Sequence, residues 1–175
     1  MNETVKKHIE DLQLLKNDQD ALGNKLIDLG KRTVLTFEEE QILAKEIEPF
    51  LYDPREIIRE DAIKVLLNYW RIEKYKEVVL GFFMNEKESD DLRYAALSGY
   101  GALYLFKNDK RVMQFMYSIF KNKNYSSNIR SKAYKEILYI SSLNASEYPF
   151  LFFNNLDIDK EADIDLIEKL IKNAK

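Results

Sequence analysis

Ile58-Arg59-Glu60-Asp61-Ala62 is the stretch on which the fold turns, because the chain writes it again as Leu92-Arg93-Tyr94-Ala95-Ala96 and as Ile129-Arg130-Ser131-Lys132-Ala133. The three arginines lie 34 and then 37 residues apart. A period of that size predicts a helix pair stacked on copies of itself, each copy shielding the next from water. Stacks of this kind bind more often than they catalyse.

Working outward from each copy, the apolar residues keep helical steps of three and four. Ile58, Ala62, Val65 and Tyr69 form one face, Leu92, Ala96, Gly99, Leu103 and Phe106 a second, and Ile129, Ala133, Ile137 and Ile140 a third. Before each lies a helix with larger side chains: Leu43, Ile47, Phe50 and Leu51; then Tyr75, Val79, Phe82 and Phe83; then Val112, Phe115, Met116 and Ile119. The small Ala62, Ala96 and Ala133 let neighbouring helices approach to the usual spacing of about 8–10 Å. Arg59, Arg93 and Arg130 fall at the helix edge, within reach of carboxylates or carbonyls in the adjacent turn, and so suggest a ladder between copies. Asp53 and Pro54 read as cap and first turn of the helix bearing Arg59. Thr36 followed by Glu38-Glu39-Glu40 is another helix start, with acids where free amides favour them. At the other two turns Asp90, Asp91 and Ser127 are the candidate caps.

Outside the copies the pattern weakens but stays helical. Val5, Ile9, Leu12 and Leu15, then Leu22, Leu26 and Leu29, predict N-terminal capping helices over residues 1–35. At the other end, Tyr148-Pro149-Phe150-Leu151-Phe152-Phe153 reads as one more packed helix. Ile164, Ile167, Leu170 and Ile171 read as a terminal helix with an acidic outer side. A stack needs such polar ends. No alternating strand and no linker breaks the chain, so a single all-α domain is expected.

The motif resembles the HEAT repeat family, in which each unit is two antiparallel helices and an Asp in the turn precedes a Val-Arg-x-x-Ala stretch. Asp53 followed by Ile58-Arg59-Glu60-Asp61-Ala62 keeps that family's spacing. The other copies depart from it: Lys87 and Asn124 stand where the Asp falls, and Glu136 replaces a small or apolar residue. The resemblance covers about residues 37–142. It implies a short right-handed α-α superhelix, armadillo-like, of about three to four helix pairs, with 145–175 as a degenerate capping repeat. It says almost nothing about activity.

Composition narrows the class. The chain has 175 residues, 46% of them hydrophobic, with 5 Gly, 3 Pro and no Cys, which excludes disulfides and thiolate chemistry. The N-terminus opens polar, and no apolar run approaches the roughly 20 residues of a membrane span. A soluble cytoplasmic protein is therefore expected. The net charge of −3 is uneven: −4 over residues 1–50, +4 over 51–143 and −3 over 144–175. Between Lys107 and Lys135 eight basic residues face Asp109 alone. Two readings of that window stand side by side, a lysine-rich solvated face and a patch for an acidic protein or a phosphate backbone.

Catalytic constellations are scarce. His8 is the single histidine, and with no cysteine it builds neither a zinc site nor a nucleophile–base pair. Gly99-Tyr100-Gly101 lacks the spacing of a phosphate loop and reads as close helix packing. Asp157, Asp159, Glu161, Asp163 and Asp165 alternate like an EF-hand, but Ala162 stands at the sixth position where Gly is required. Trp70 reads as packing at a helix end in preference to a binding anchor. No catalytic residue, metal site or cofactor is expected.

A non-catalytic protein-binding module is the reading these features favour, with a macromolecular partner on the concave face made by the second helices. Glu60, Lys64, Asn68, Tyr94, Ser98, Lys132 and Lys135 are the exposed positions expected to meet it. A bacterial immunity protein that neutralises a toxin is the sharpest version. The alternative is nucleic-acid contact, through a distant likeness to the helical-repeat alkylpurine DNA glycosylases, with Tyr117, Tyr125 and Tyr134 beside the basic window.

Overall fold

Short polar side chains start most of the helices. In a computed structural model that describes residues 2–149 and 157–175, α1 (Glu3–Leu15) and α2 (Gln19–Lys31) open under the carboxamide of Asn2 and the carboxylate of Asp18. Thr36 and Glu39 form a reciprocal capping box at α3 (Phe37–Ile47), which runs into a 3₁₀ turn, Glu48–Tyr52. Helix α4 (Glu56–Ile63) continues as a π-helical turn, Lys64–Tyr69. A 3₁₀ turn, Glu73–Tyr75, leads into α5 (Lys76–Met84). There follow α6 (Asp90–Ala102), α7 (Lys110–Lys121), α8 (Ser127–Ile140), a 3₁₀ turn at Ala145–Glu147 and α9 (Ile164–Asn173). Among the described residues there is no strand.

Two of the expected caps move by one residue or more. Ser89 and Ser126 accept from the amides of Leu92 and Ile129, so they cap α6 and α8 in place of Asp90, Asp91 and Ser127. Each such cap is worth about 1 kcal/mol. Asp53 does not cap α4. Its carboxylate holds the backbone and guanidinium of Arg55 at 2.8–2.9 Å, and Pro54 lies in the bend before the helix. Gly23 lies inside α2 and is buried there.

The helices pack as two rows. Helices α2, α4, α6 and α8 touch in that order; the α3 turn, α5 and α7 lie against α4, α6 and α8, and α9 closes on α7 and α8. Ile58, Leu92 and Ile129 are fully buried, as are Ala62, Ala96 and Ala133. Each such aliphatic side chain stabilises by about 1.5–3 kcal/mol. Gly99 shows how close the row is: a methyl there would sit 2.9 Å from Ile63 Cγ2 and 3.2 Å from Leu67 Cβ. Trp70 is buried at the end of the π turn, and Arg71 leaves it with a left-handed φ of 53°.

Arg59, Arg93 and Arg130 occupy the same place in three helices, four residues after the capping position. Backward, Nε of Arg93 and of Arg130 donates at 3.0 Å to the carbonyls of Phe83 and Phe120, at the ends of α5 and α7. Arg59 donates to the Asp53 carbonyl at 3.1 Å. These bonds satisfy carbonyls that a helix end or turn leaves without a partner. Forward, each reaches the following turn. Arg59 pairs with Glu88 at 2.9 Å, Arg93 lies 5.3 Å from the Tyr125 ring centre, and Arg130 grips Asp159 with two bonds of 2.7 and 3.2 Å.

Two expectations fall elsewhere. Helix α6 stops at Ala102, and Phe106, expected inward, is exposed with φ of 60°. The amides of Phe106 and Asn108 instead bond the carbonyls of Tyr139 and Ile140 (3.0 and 2.8 Å), so the free end of α8 draws this segment out of the helix. Most of the expected helix over Tyr148–Phe153 lies outside the described residues. No described helix is long and apolar enough to cross a membrane.

Candidate functional site

The row of α2, α4, α6 and α8 encloses three hollows that share walls. One of about 400 Å³ lies between α2 and α4, one of about 610 Å³ between α4 and α6, and one of about 300 Å³ between α6 and α8. Ile57 borders the first two, while Asn68 and Ser98 border the second and third. Together they form one trough across four helices.

Six of the seven positions expected to face a partner line it: Glu60, Lys64, Asn68, Tyr94, Ser98 and Lys132. Lys135 does not. Their exposure differs from expectation. Tyr94 is open to solvent, Glu60, Lys64, Asn68 and Ser98 are partly covered, and Lys132 is buried.

Lys132 is buried because α8 supplies its counter-ion one turn later. Its Nζ lies 2.7 Å from Glu136, and the two side chains are 11% and 4% exposed. The rings of Tyr94 and Tyr139 stand 5.2 and 6.0 Å from the ammonium. Gly101 makes room for the acid: a methyl there would come within 2.1 Å of Glu136 Oε2. Burial raises the Glu136 carboxyl against the pull of Lys132. For Lys132 burial lowers, but the charge and hydrogen bond of Glu136 win and leave it above its ordinary value. This pair forms the floor of the third hollow and neutralises itself.

The rest of the trough is not neutral. Asp20, Glu60, Asp61 and Asp91 line the first two hollows, with Lys64 as the cation among them. Lys64 is 3.0 Å from Asp61 and 3.7 Å from Glu60. Burial lifts the Glu60 carboxyl above its ordinary range, and Lys64 only partly offsets it; Asp91, Glu56 and Asp61 add to the rise. Asn68 sits in the π turn and donates Nδ2 to Ser98 Oγ at 3.0 Å, leaving its buried Oδ1 without a donor among the described residues. A π turn re-aims side chains relative to an α-helix, and such turns concentrate at functional sites.

The remaining candidates sit apart from the trough. Lys25 donates to His8 Nδ1 (2.9 Å) and to Asp11 (2.6 Å), so the neutral ring carries its proton on the buried Nε2, which has no partner among the described residues. Burial and then Lys25 hold that imidazole below its ordinary value. The EF-hand-like acids serve other ends: Asp159 takes Arg130 and Lys123, and Asp157 pairs with Lys160 at 2.9 Å. The basic window does not form one open face, since Lys123, Arg130 and Lys132 are spent on acids of this chain. Its tyrosines are committed too, Tyr117 to Glu168, Tyr125 to Arg93 and Tyr134 to the Asp163 amide.

Asp20, Asp61, Asp91 and Glu136 line the trough beyond the positions expected from the sequence. Asp61 and Glu136 follow from helical phase once the inward face is set, being three residues from Ile58 and from Ala133. Asp20 and Asp91 carry no such signal, because their role depends on how α2 and α6 dock. Comparison with known protein families, curated proteins and solved structures returns no match.

Proposed function

We propose that this chain is a non-catalytic binding module, a short HEAT-like stack whose second helices receive a segment of a protein partner. The trough across α2, α4, α6 and α8 is the observation that carries the reading. It crosses every copy of the motif, and its wall carries Asn68 Oδ1, a buried acceptor without a donor among the described residues. Repeat stacks use surfaces of this kind. A protein partner fits better than a phosphate backbone, because Lys123, Arg130 and Lys132 already hold carboxylates and the flanking tyrosines hold side chains or amides.

Ser98 joins two of the hollows, so Ser98→Trp would plug both, whereas Gln114→Trp lies on the exposed side of α7. Affinity capture from the cells that express the protein should lose its partner with Ser98→Trp and keep it with Gln114→Trp, both variants melting as folded proteins. A partner retained by both removes the trough from the interaction. Tight duplex-DNA binding that weakens steeply with salt would point to nucleic acid instead.

A further inference from the structure

We propose that the trough takes a cationic segment, with an arginine or lysine of the partner seated over Tyr94 between Glu60 and Asp91. The inference rests on the binding reading above and adds the chemistry of the occupant. Charge complementarity is the argument. Lys132 and Glu136 cancel at the α8 end, so the first two hollows present Asp20, Glu60, Asp61 and Asp91 against Lys64.

Two of the acceptors there are short of donors among the described residues. Glu60 has no ion-pair partner closer than Lys64 at 3.7 Å, and that lysine is nearer to Asp61. Asn68 Oδ1 is a buried acceptor with none. A guanidinium brings five N–H donors and no acceptor, which is what this wall is missing. Tyr94 already carries one cation, Lys132, at 5.2 Å from its ring centre, and at 39% exposure it keeps surface for another. Beside it Ile57, 42% exposed, offers an apolar contact for an aliphatic neighbour of the basic residue. The occupant is therefore a basic segment interleaved with aliphatic side chains.

Three synthetic 14-residue peptides test this by fluorescence anisotropy on the intact chain: one built from Leu and Arg, one from Leu and Glu, one from Leu and Gln. The Leu/Arg peptide should bind about tenfold or more tighter than the other two, and less tightly as salt rises. Glu60→Gln with Asp91→Asn should remove about tenfold of that affinity. Glu38→Gln with Asp165→Asn, which changes net charge equally away from the trough, should not. Binding of none of the peptides, a preference for Leu/Glu, or Leu/Arg binding indifferent to the trough variant overturns the proposal. The native partner separates this failure from failure of the binding reading. If Ser98→Trp loses it and the Glu60/Asp91 variant keeps it, the trough binds but not through a cation; if Ser98→Trp keeps it, the trough itself is the wrong surface.

Discussion

Arg130 and Glu60 belong to second helices on either side of α6, and each carries a charge that is largely out of water. At the turn end of the row, Arg130 is 5% exposed and donates to a carbonyl at 3.0 Å and to both oxygens of Asp159. Along the trough, Glu60 has a lysine at 3.7 Å and like charges around it. The first arrangement is closed and ties one turn to the next. The second is open on the donor side. Groups satisfied within the chain hold the helices together, and on the proposed reading the groups left short of partners are those a bound segment would meet.

Lys132 and Glu136 test that division most severely, since they lie in the trough yet are closed upon each other. Glu136→Ala or Lys132→Ala strands a buried charge, and each should lower unfolding free energy by about 4 kcal/mol in urea melts. The double variant Lys132→Met with Glu136→Leu should recover to within about 1 kcal/mol of the parent, because it removes both charges at similar volume. A double variant as weak as either single one would mean that the pair carries more of the fold than its own charge balance.

The rungs themselves are unequal. Arg130→Ala exposes the Phe120 carbonyl and empties a buried guanidinium site, so a loss of about 3 kcal/mol is expected. Arg93→Ala gives up one carbonyl bond and the faces of Phe83 and Tyr125, and about 2 kcal/mol is expected. Equal losses at both would show that the aromatic rung is as strong as the carboxylate one.

How much of this could be read from the chain follows from what each feature depends on. Arg59, Arg93 and Arg130 announce themselves because a repeated helix repeats its edge residue. Glu60, Asn68, Tyr94 and Ser98 follow from helical phase once the inward face is known. Asp159 could not be matched to Arg130, because 29 residues of chain separate them. The alternating acids around it carry a local pattern that suggests calcium and a tertiary role that does not. Likewise Lys132 reads as an exposed position and Glu136 as an acid where a small or apolar residue is expected; Gly101, on another helix, makes room for that acid.

Acid titration separates the two regions by sign. Hydrogen bonds from Arg130 and Lys123 hold the Asp159 carboxyl well below its ordinary value of 3.8. The folded state then binds that proton less readily than the unfolded chain does. Its contribution is complete above 3.8 and drains away as pH falls below it, a loss that Asp159→Asn should abolish. Glu60 runs the other way. Burial lifts its carboxyl above 4.5, so the folded state holds the proton more tightly and stability declines as pH climbs through the interval above 4.5. Glu60→Gln should remove that decline while moving neutral-pH stability by no more than about 0.5 kcal/mol. A urea series from acid to neutral pH reads both slopes. If Glu60→Gln instead steepens the decline, Lys64 neutralises Glu60 completely, and the wall has no unmet demand for a cation.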